Sequence, residues 1–103
     1  GTPYHGFELQ ANMKEAFNKK GFSVLEVVSP CPTHYGKNNA MKTPVEMLTW
    51  ITGRALPRAE YDRLDPSAKG DYFPIGKLVD RDVPDFNARY DEIRARAMKD
   101  RTT

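Results

Sequence analysis

One stretch of this chain, FSVLEVV at Phe22–Val28, has the composition of a buried β-strand, and a lone strand cannot pair its own backbone groups. It is β-branched and aromatic, too short for a helix, and bounded by Gly21 and Pro30. Its near-continuous apolar character predicts burial on both faces, as in a parallel sheet covered by helices. Only IGKLVD, Ile75–Asp80, reads as a second strand, short and at an edge. Two strands make a marginal sheet. The apolar faces are therefore expected to need surfaces outside this chain. It begins at Gly1 without an initiator methionine and reads as an excised or processed piece of something longer.

The helices are clearer. From Phe7 to Lys20, Leu9, Met13, Ala16 and Phe17 recur at helical spacing, with Lys14, Glu15, Lys19 and Lys20 pointing outward. Lysines in the last turn suit the helix dipole, and Gly21 is placed to end the helix in the left-handed conformation. Between Thr43 and Gly53 the start signals are explicit. Thr43 caps, Pro44 takes the first helical position, Glu46 completes a capping box, and Gly53 stops the helix. Beyond Gly53 the apolar density falls, leaving a short helix predicted from Pro57 to Leu64. A final helix, Val83–Asp100, carries Phe86, Tyr90, Ile93 and Ala97 on one face, with Glu92 and Arg96 spaced to pair. The expected class is α/β, with few strands, flanking helices and an extended tail. The predicted division is 1–53, a helix–strand–loop–helix end of an α/β domain, and 54–103, the tail.

With 103 residues the chain suits one domain. A net charge of +2, with acids interspersed among the lysines and arginines, argues against nucleic acid or an anionic membrane as partner. The basic stretch Arg94–Arg101, broken by Asp100, reads as a solvated helix face. No apolar run approaches the roughly 18 residues of a membrane span, and no signal peptide opens the chain. A single cysteine makes no internal disulfide and points to a reducing, cytoplasmic setting.

That cysteine, Cys31, sits in SPCPTHYGKNN, Ser29–Asn39, at the carboxyl end of the predicted strand. Ligands of parallel sheets bind at that location. An inert thiol is one reading. A Cys31–His34 dyad needs a base brought to the sulfur and a lowered thiol pKa. A zinc site of Cys31 and His34 needs two more ligands, and His5 is the only other histidine. A thiolate ligand to an iron–sulfur cluster needs partner thiolates from outside the chain. Pro30 and Pro32 restrict the backbone on either side of the sulfur. The amides from Thr33 to Gly36 are expected to be exposed and free to bond cluster sulfurs. Met47, Trp50 and Tyr35 read as packing groups.

GFSVLEVVSPCPTHYGKNN followed by TPVEMLTWI resembles the C-terminal part of the β subunit of 2-oxoacid:ferredoxin oxidoreductases, most closely the 2-oxoglutarate type. Lys20-Gly21-Phe22, Ser29-Pro30-Cys31-Pro32-Thr33, Tyr35-Gly36, Asn39 and Thr43–Leu48 agree in order, and IGKLVDRDVPDF fits the tail less distinctively. The resemblance implies a thiamine-diphosphate-binding α/β fold with magnesium and a 4Fe-4S cluster, whose last thiolate ligand is Cys31. Thr33 and Gly36 are its implied neighbours at the cluster, and His34, Lys37 and Asn39 lie near substrate or CoA phosphates, against the plainer reading of a solvated polar loop. It further implies oxidative decarboxylation of a 2-oxoacid to acyl-CoA, with electrons passed to ferredoxin. The partners are then the rest of the β subunit and the α subunit.

This sequence departs from that family in three ways. The other three cluster cysteines are absent, the Gly-Asp-Gly segment for magnesium and diphosphate is absent, and Gly6 stands where a bulky apolar residue is usual. The chain alone is therefore expected to be inactive, its catalytic groups lying elsewhere. The alternatives are a small non-catalytic interaction module and a cysteine-dependent enzyme with a reactive thiol.

Overall fold

Helix α1, Gly6–Asn18, forms where the apolar spacing predicts it. The computed structural model, which describes residues 1–102, ends it earlier than expected. Lys19 is already extended, so Lys19 and Lys20 lie beyond the last turn rather than within it. Ser23 helps terminate the helix, its hydroxyl donating to the Ala16 carbonyl at 2.9 Å. Gly21 does adopt a positive φ of 100°, but as part of the reversal after the cap. There an added Cβ would also meet Asp85 at 3.2 Å.

Residues 22–30 are extended but belong to no sheet, which corrects the expected buried strand. Phe22 is 90% and Val24 74% exposed. The cause is nonlocal. A ladder needs a neighbour, and the neighbour found here is a single residue. Gly1 donates to the Glu26 carbonyl (2.8 Å) and accepts from the Val28 amide (2.9 Å). One residue bonding to both sides of Val27 is the parallel pattern.

Helix α2, Pro44–Arg54, starts as predicted: Thr43 accepts from the Glu46 amide while the Glu46 carboxylate accepts from the Thr43 amide. It does not stop at Gly53. The Ala55 amide still bonds the Ile51 carbonyl, and packing of Ile51 and Ala55 outweighs the roughly 0.5–1 kcal/mol that a helical glycine costs. Removing the cap with Thr43→Ala is expected to cost about 1 kcal/mol, read as a lower urea midpoint at unchanged slope.

Strand β1, Ala55–Pro57, follows directly, then α3, Arg58–Asp62, a 3-10 turn at Lys69–Asp71, and β2, Phe73–Ile75. The strands pair in parallel, Ala55 opposite Phe73 and Pro57 opposite Ile75. β1 was not expected, and β2 overlaps the predicted Ile75–Asp80 strand only at Ile75. Both strands contain proline, which removes a ladder donor and keeps them to three residues each. The short α3 falls inside the predicted Pro57–Leu64 window.

The buried apolar core consists of Met47, Ile51, Ala55 and Ile75, drawn from both sides of residue 53. Around it the chain is long, 71 × 32 × 26 Å, with a radius of gyration of 20.6 Å. A compact chain of this length has about 13 Å. Helix α4, Phe86–Arg101, capped by Asp85, buries no residue. Phe86 and Tyr90 stack on each other at 6.0 Å while remaining exposed. On α4 Arg94 pairs with Asp91, and the expected Glu92–Arg96 pair does not form.

Ion pairs tie α1 to the segment after β2. Asp80 accepts from Lys19 and Lys77, and Lys77 also reaches Glu15 at 2.6 Å. Hydrogen bonding from Lys19, then Lys77, holds the Asp80 carboxyl below its ordinary pKa, and Glu15, then Asp80, pushes Lys77 up. A depressed carboxyl stabilises fully above its unfolded pKa and loses that contribution as pH falls through the folded value. A raised lysine stabilises below its unfolded pKa and loses it as pH rises through the folded one. The tie is expected to persist between about pH 4 and 10 and to open outside that window. Its exposed members make it weaken with salt. NMR titration of Asp80 and Lys77 checks this, and an unshifted Asp80 would remove the tie.

Candidate functional site

Cys31 is exposed at the entrance to a π-helical turn, Pro32–Gly36. The turn closes through i→i+5 bonds. The Gly36 amide donates to the Cys31 carbonyl (3.0 Å), and the Met41 amide donates to the Gly36 carbonyl (2.9 Å). Asn39 secures it from the far side, its amide and its side-chain Nδ2 both donating to the Tyr35 carbonyl, at 3.0 and 2.8 Å. Ala40 then takes a left-handed φ of 57°, a conformation that disfavours residues with a Cβ, to turn the chain toward α2.

The surroundings of the sulfur favour a thiolate. The Tyr35 backbone N–H, then that of His34, then the Thr33 hydroxyl lower the Cys31 pKa from its ordinary value. Thr33 Oγ1 lies 3.9 Å from Sγ. His34 thus acts through its main chain rather than its ring, which leaves a Cys–His dyad without its base. His5 is engaged elsewhere, with Nδ1 2.7 Å from Thr2 Oγ1.

Beside the thiol an apolar cleft of about 300 Å³ opens between Val28, Pro30, Tyr35, Met47 and Trp50. Tyr35 and Trp50 meet at 5.8 Å with their rings tilted by 54°, and the Arg54 guanidinium lies 4.7 Å over the Trp50 ring. Met47 and Trp50 are the packing groups expected of them. The cleft itself was not legible beforehand, because its walls come from three separated segments. The i, i+3, i+4 spacing of Met47, Trp50 and Ile51 was its trace in the sequence.

The predicted site residues separate into three groups. Thr33 joins Cys31 directly. His34 and Lys37 project from the same turn into solvent. Gly36 and Asn39 hold the turn together. Gly36 is buried with its amide spent on Cys31, so the expected run of free amides through Gly36 is corrected, and Asn39 spends its side chain closing the turn.

Among the described residues no group of three or more His, Cys, Asp or Glu side chains could hold a metal ion. Cys31 fits as one exposed, thiolate-favouring donor, and a complete set does not exist in this chain.

The chain is 32% identical over 85 residues to 2-oxoglutarate synthase subunit KorB of Methanothermobacter marburgensis. It is 30% identical to KorB of Methanothermobacter thermautotrophicus and 28% to KorB of Methanocaldococcus jannaschii, over the same length. The likeness is to KorB subunits in all three cases. Each match covers 82% of the chain. The chain spans 30–32% of the length of those relatives. No family model and no solved structure matches it. Among its described residues no helix is long and apolar enough to cross a membrane.

Proposed function

We propose that this chain is the C-terminal part of the β subunit of a 2-oxoglutarate:ferredoxin oxidoreductase, with Cys31 supplying one of four thiolates to a 4Fe-4S cluster. The observation that carries the reading is a single exposed thiol whose pKa its neighbours lower, in a chain similar to KorB whose described residues form no metal-binding group of their own. When bound, such a cluster supplies one-electron transfer, here from 2-oxoacid oxidation toward ferredoxin. The residues of this chain hold and shield it. Pro30 and Pro32 limit the freedom of the Cys31 backbone. The amides of His34 and Tyr35 and the Thr33 hydroxyl offset negative charge on the sulfur. The cleft walls keep one side of the sulfur apolar.

His34 and Lys37, exposed on the same turn, are assigned to the side facing substrate or CoA phosphates. Residues 1–53 belong to the end of the thiamine-binding domain and 54–103 to its tail. The thiamine diphosphate and magnesium sites, like the remaining thiolates, belong to the rest of a cytoplasmic multi-subunit enzyme, and the isolated chain is inactive. The exposed apolar faces of α1 and residues 22–28 support burial against that remainder.

The test is anaerobic co-purification with the rest of the β subunit. Broad visible absorbance in the assembled subunit, absent from either part alone, is the expected result. A stable complex without iron or labile sulfide would reject the redox reading in favour of a non-catalytic interaction module.

A further inference from the structure

We propose that Gly36 is the positioning residue for Cys31: its bare backbone seats the cysteine's main chain against α2, and any side chain there displaces the thiol. The inference rests on Cys31 being a cluster ligand and adds how the chain holds it in place. Gly36 is the one buried residue of its turn and the shared member of both i→i+5 bonds, donating to Cys31 and accepting from Met41.

A Cβ at this position would lie 2.9 Å from Met47 Sδ, 3.1 Å from the Met41 carbonyl and 3.7 Å from the Cys31 carbonyl. The Met47 thioether, though only 2% exposed, is flexible and borders the cleft, whereas the other two neighbours are main chain, and the Met41 carbonyl must give by a few tenths of an ångström. The turn itself must move, and Cys31 moves with it through the 3.0 Å bond. Gly36 does not have a positive φ, so its requirement is for space rather than for a conformation closed to other residues. Making room should therefore relieve a substitution.

The experiment uses the assembled β subunit, purified anaerobically, and follows iron retained under chelator challenge together with the EPR signal of the reduced cluster. Gly36→Ala is expected to weaken cluster retention about 10–100-fold, the range for losing a group that orients a metal ligand, and to shift the EPR signal. Combining Gly36→Ala with Met47→Val, which ends the side chain short of the sulfur, is expected to recover part of each, the contact with the Met41 carbonyl remaining. Gly53→Ala, where an added Cβ meets nothing within 4 Å, leaves both unchanged.

Wild-type retention and EPR in Gly36→Ala overturn the proposal. So does a loss that Met47→Val does nothing to recover, or a Gly36→Ala that does not fold with or without it, since Gly36 then serves folding at large. Cys31→Ser in the same preparation separates the two levels. A cluster that survives Cys31→Ser defeats the ligand reading, whereas one lost in Cys31→Ser but intact in Gly36→Ala defeats only the positioning role.

Discussion

Cys31→Ser is expected to abolish the visible absorbance of the assembled β subunit while leaving the chain folded. The two effects separate because of where the sulfur sits. Cys31 is exposed, and the turn that presents it closes through main-chain bonds from Gly36 and Met41 and through Asn39, none of which uses Sγ. Serine therefore removes no packing and no turn bond. Its hydroxyl, however, does not ionise near neutral pH and is a hard oxygen donor where iron–sulfur chemistry takes soft thiolate. The amides that lower the thiol's pKa then have no anion to stabilise. The check pairs absorbance and iron content with far-UV circular dichroism on one sample. An unchanged visible spectrum would reject the ligand role, and loss of both signals together would make Cys31 a folding residue.

Ile75→Ala is expected to be the most destabilising single truncation in the core, by about 2–5 kcal/mol. Ile75 is 2% exposed and closes β2 against Pro57 of β1, next to Met47, Ile51 and Ala55. Four buried apolar side chains among the described residues make a small core, so the cavity left by one of them is a large share of the about 5–15 kcal/mol typical of folded domains. The strands of three residues each contribute few ladder bonds to compensate. Trp50, the only tryptophan, packs on Tyr35 and Arg54 at the edge of this unit and reports its unfolding by fluorescence. Val79→Ala, at a residue 70% exposed, serves as the control and should change stability by less than about 0.5 kcal/mol. Equal effects from the two would place the core elsewhere.

The two variants probe different links of one chain of causes. The core holds α2, α2 holds Gly36 through Met47, and Gly36 holds the turn that presents Cys31. Damage to the core should therefore reach the thiol, whereas removal of the thiol should not reach the core.

What could be read in the amino-acid order is local. Thr43, Pro44 and Glu46 announce the start of α2 because a cap is decided within four residues. Pro30 and Pro32 mark a stiff turn around Cys31 for the same reason, and the motif around them carries the likeness to KorB subunits. Asp85 was not singled out, though it caps α4 through the Ala88 amide by equally short-range chemistry.

Tertiary contacts decided the rest. Phe22–Val28 has every local attribute of a strand, yet a strand exists only where a second backbone supplies its hydrogen bonds, and here just Gly1 does so. Conversely, Ala55–Pro57 and Phe73–Ile75 are poor strands by composition but pair because α2 and α3 bring them side by side. The same holds at the site. That the sulfur is a cysteine's, and rigidly flanked, was written in the sequence. That Gly36 lies against Met47, and that exposed Asn39 also closes the turn through Tyr35, follows from tertiary contacts, and burial and pairing arise between segments the sequence keeps apart.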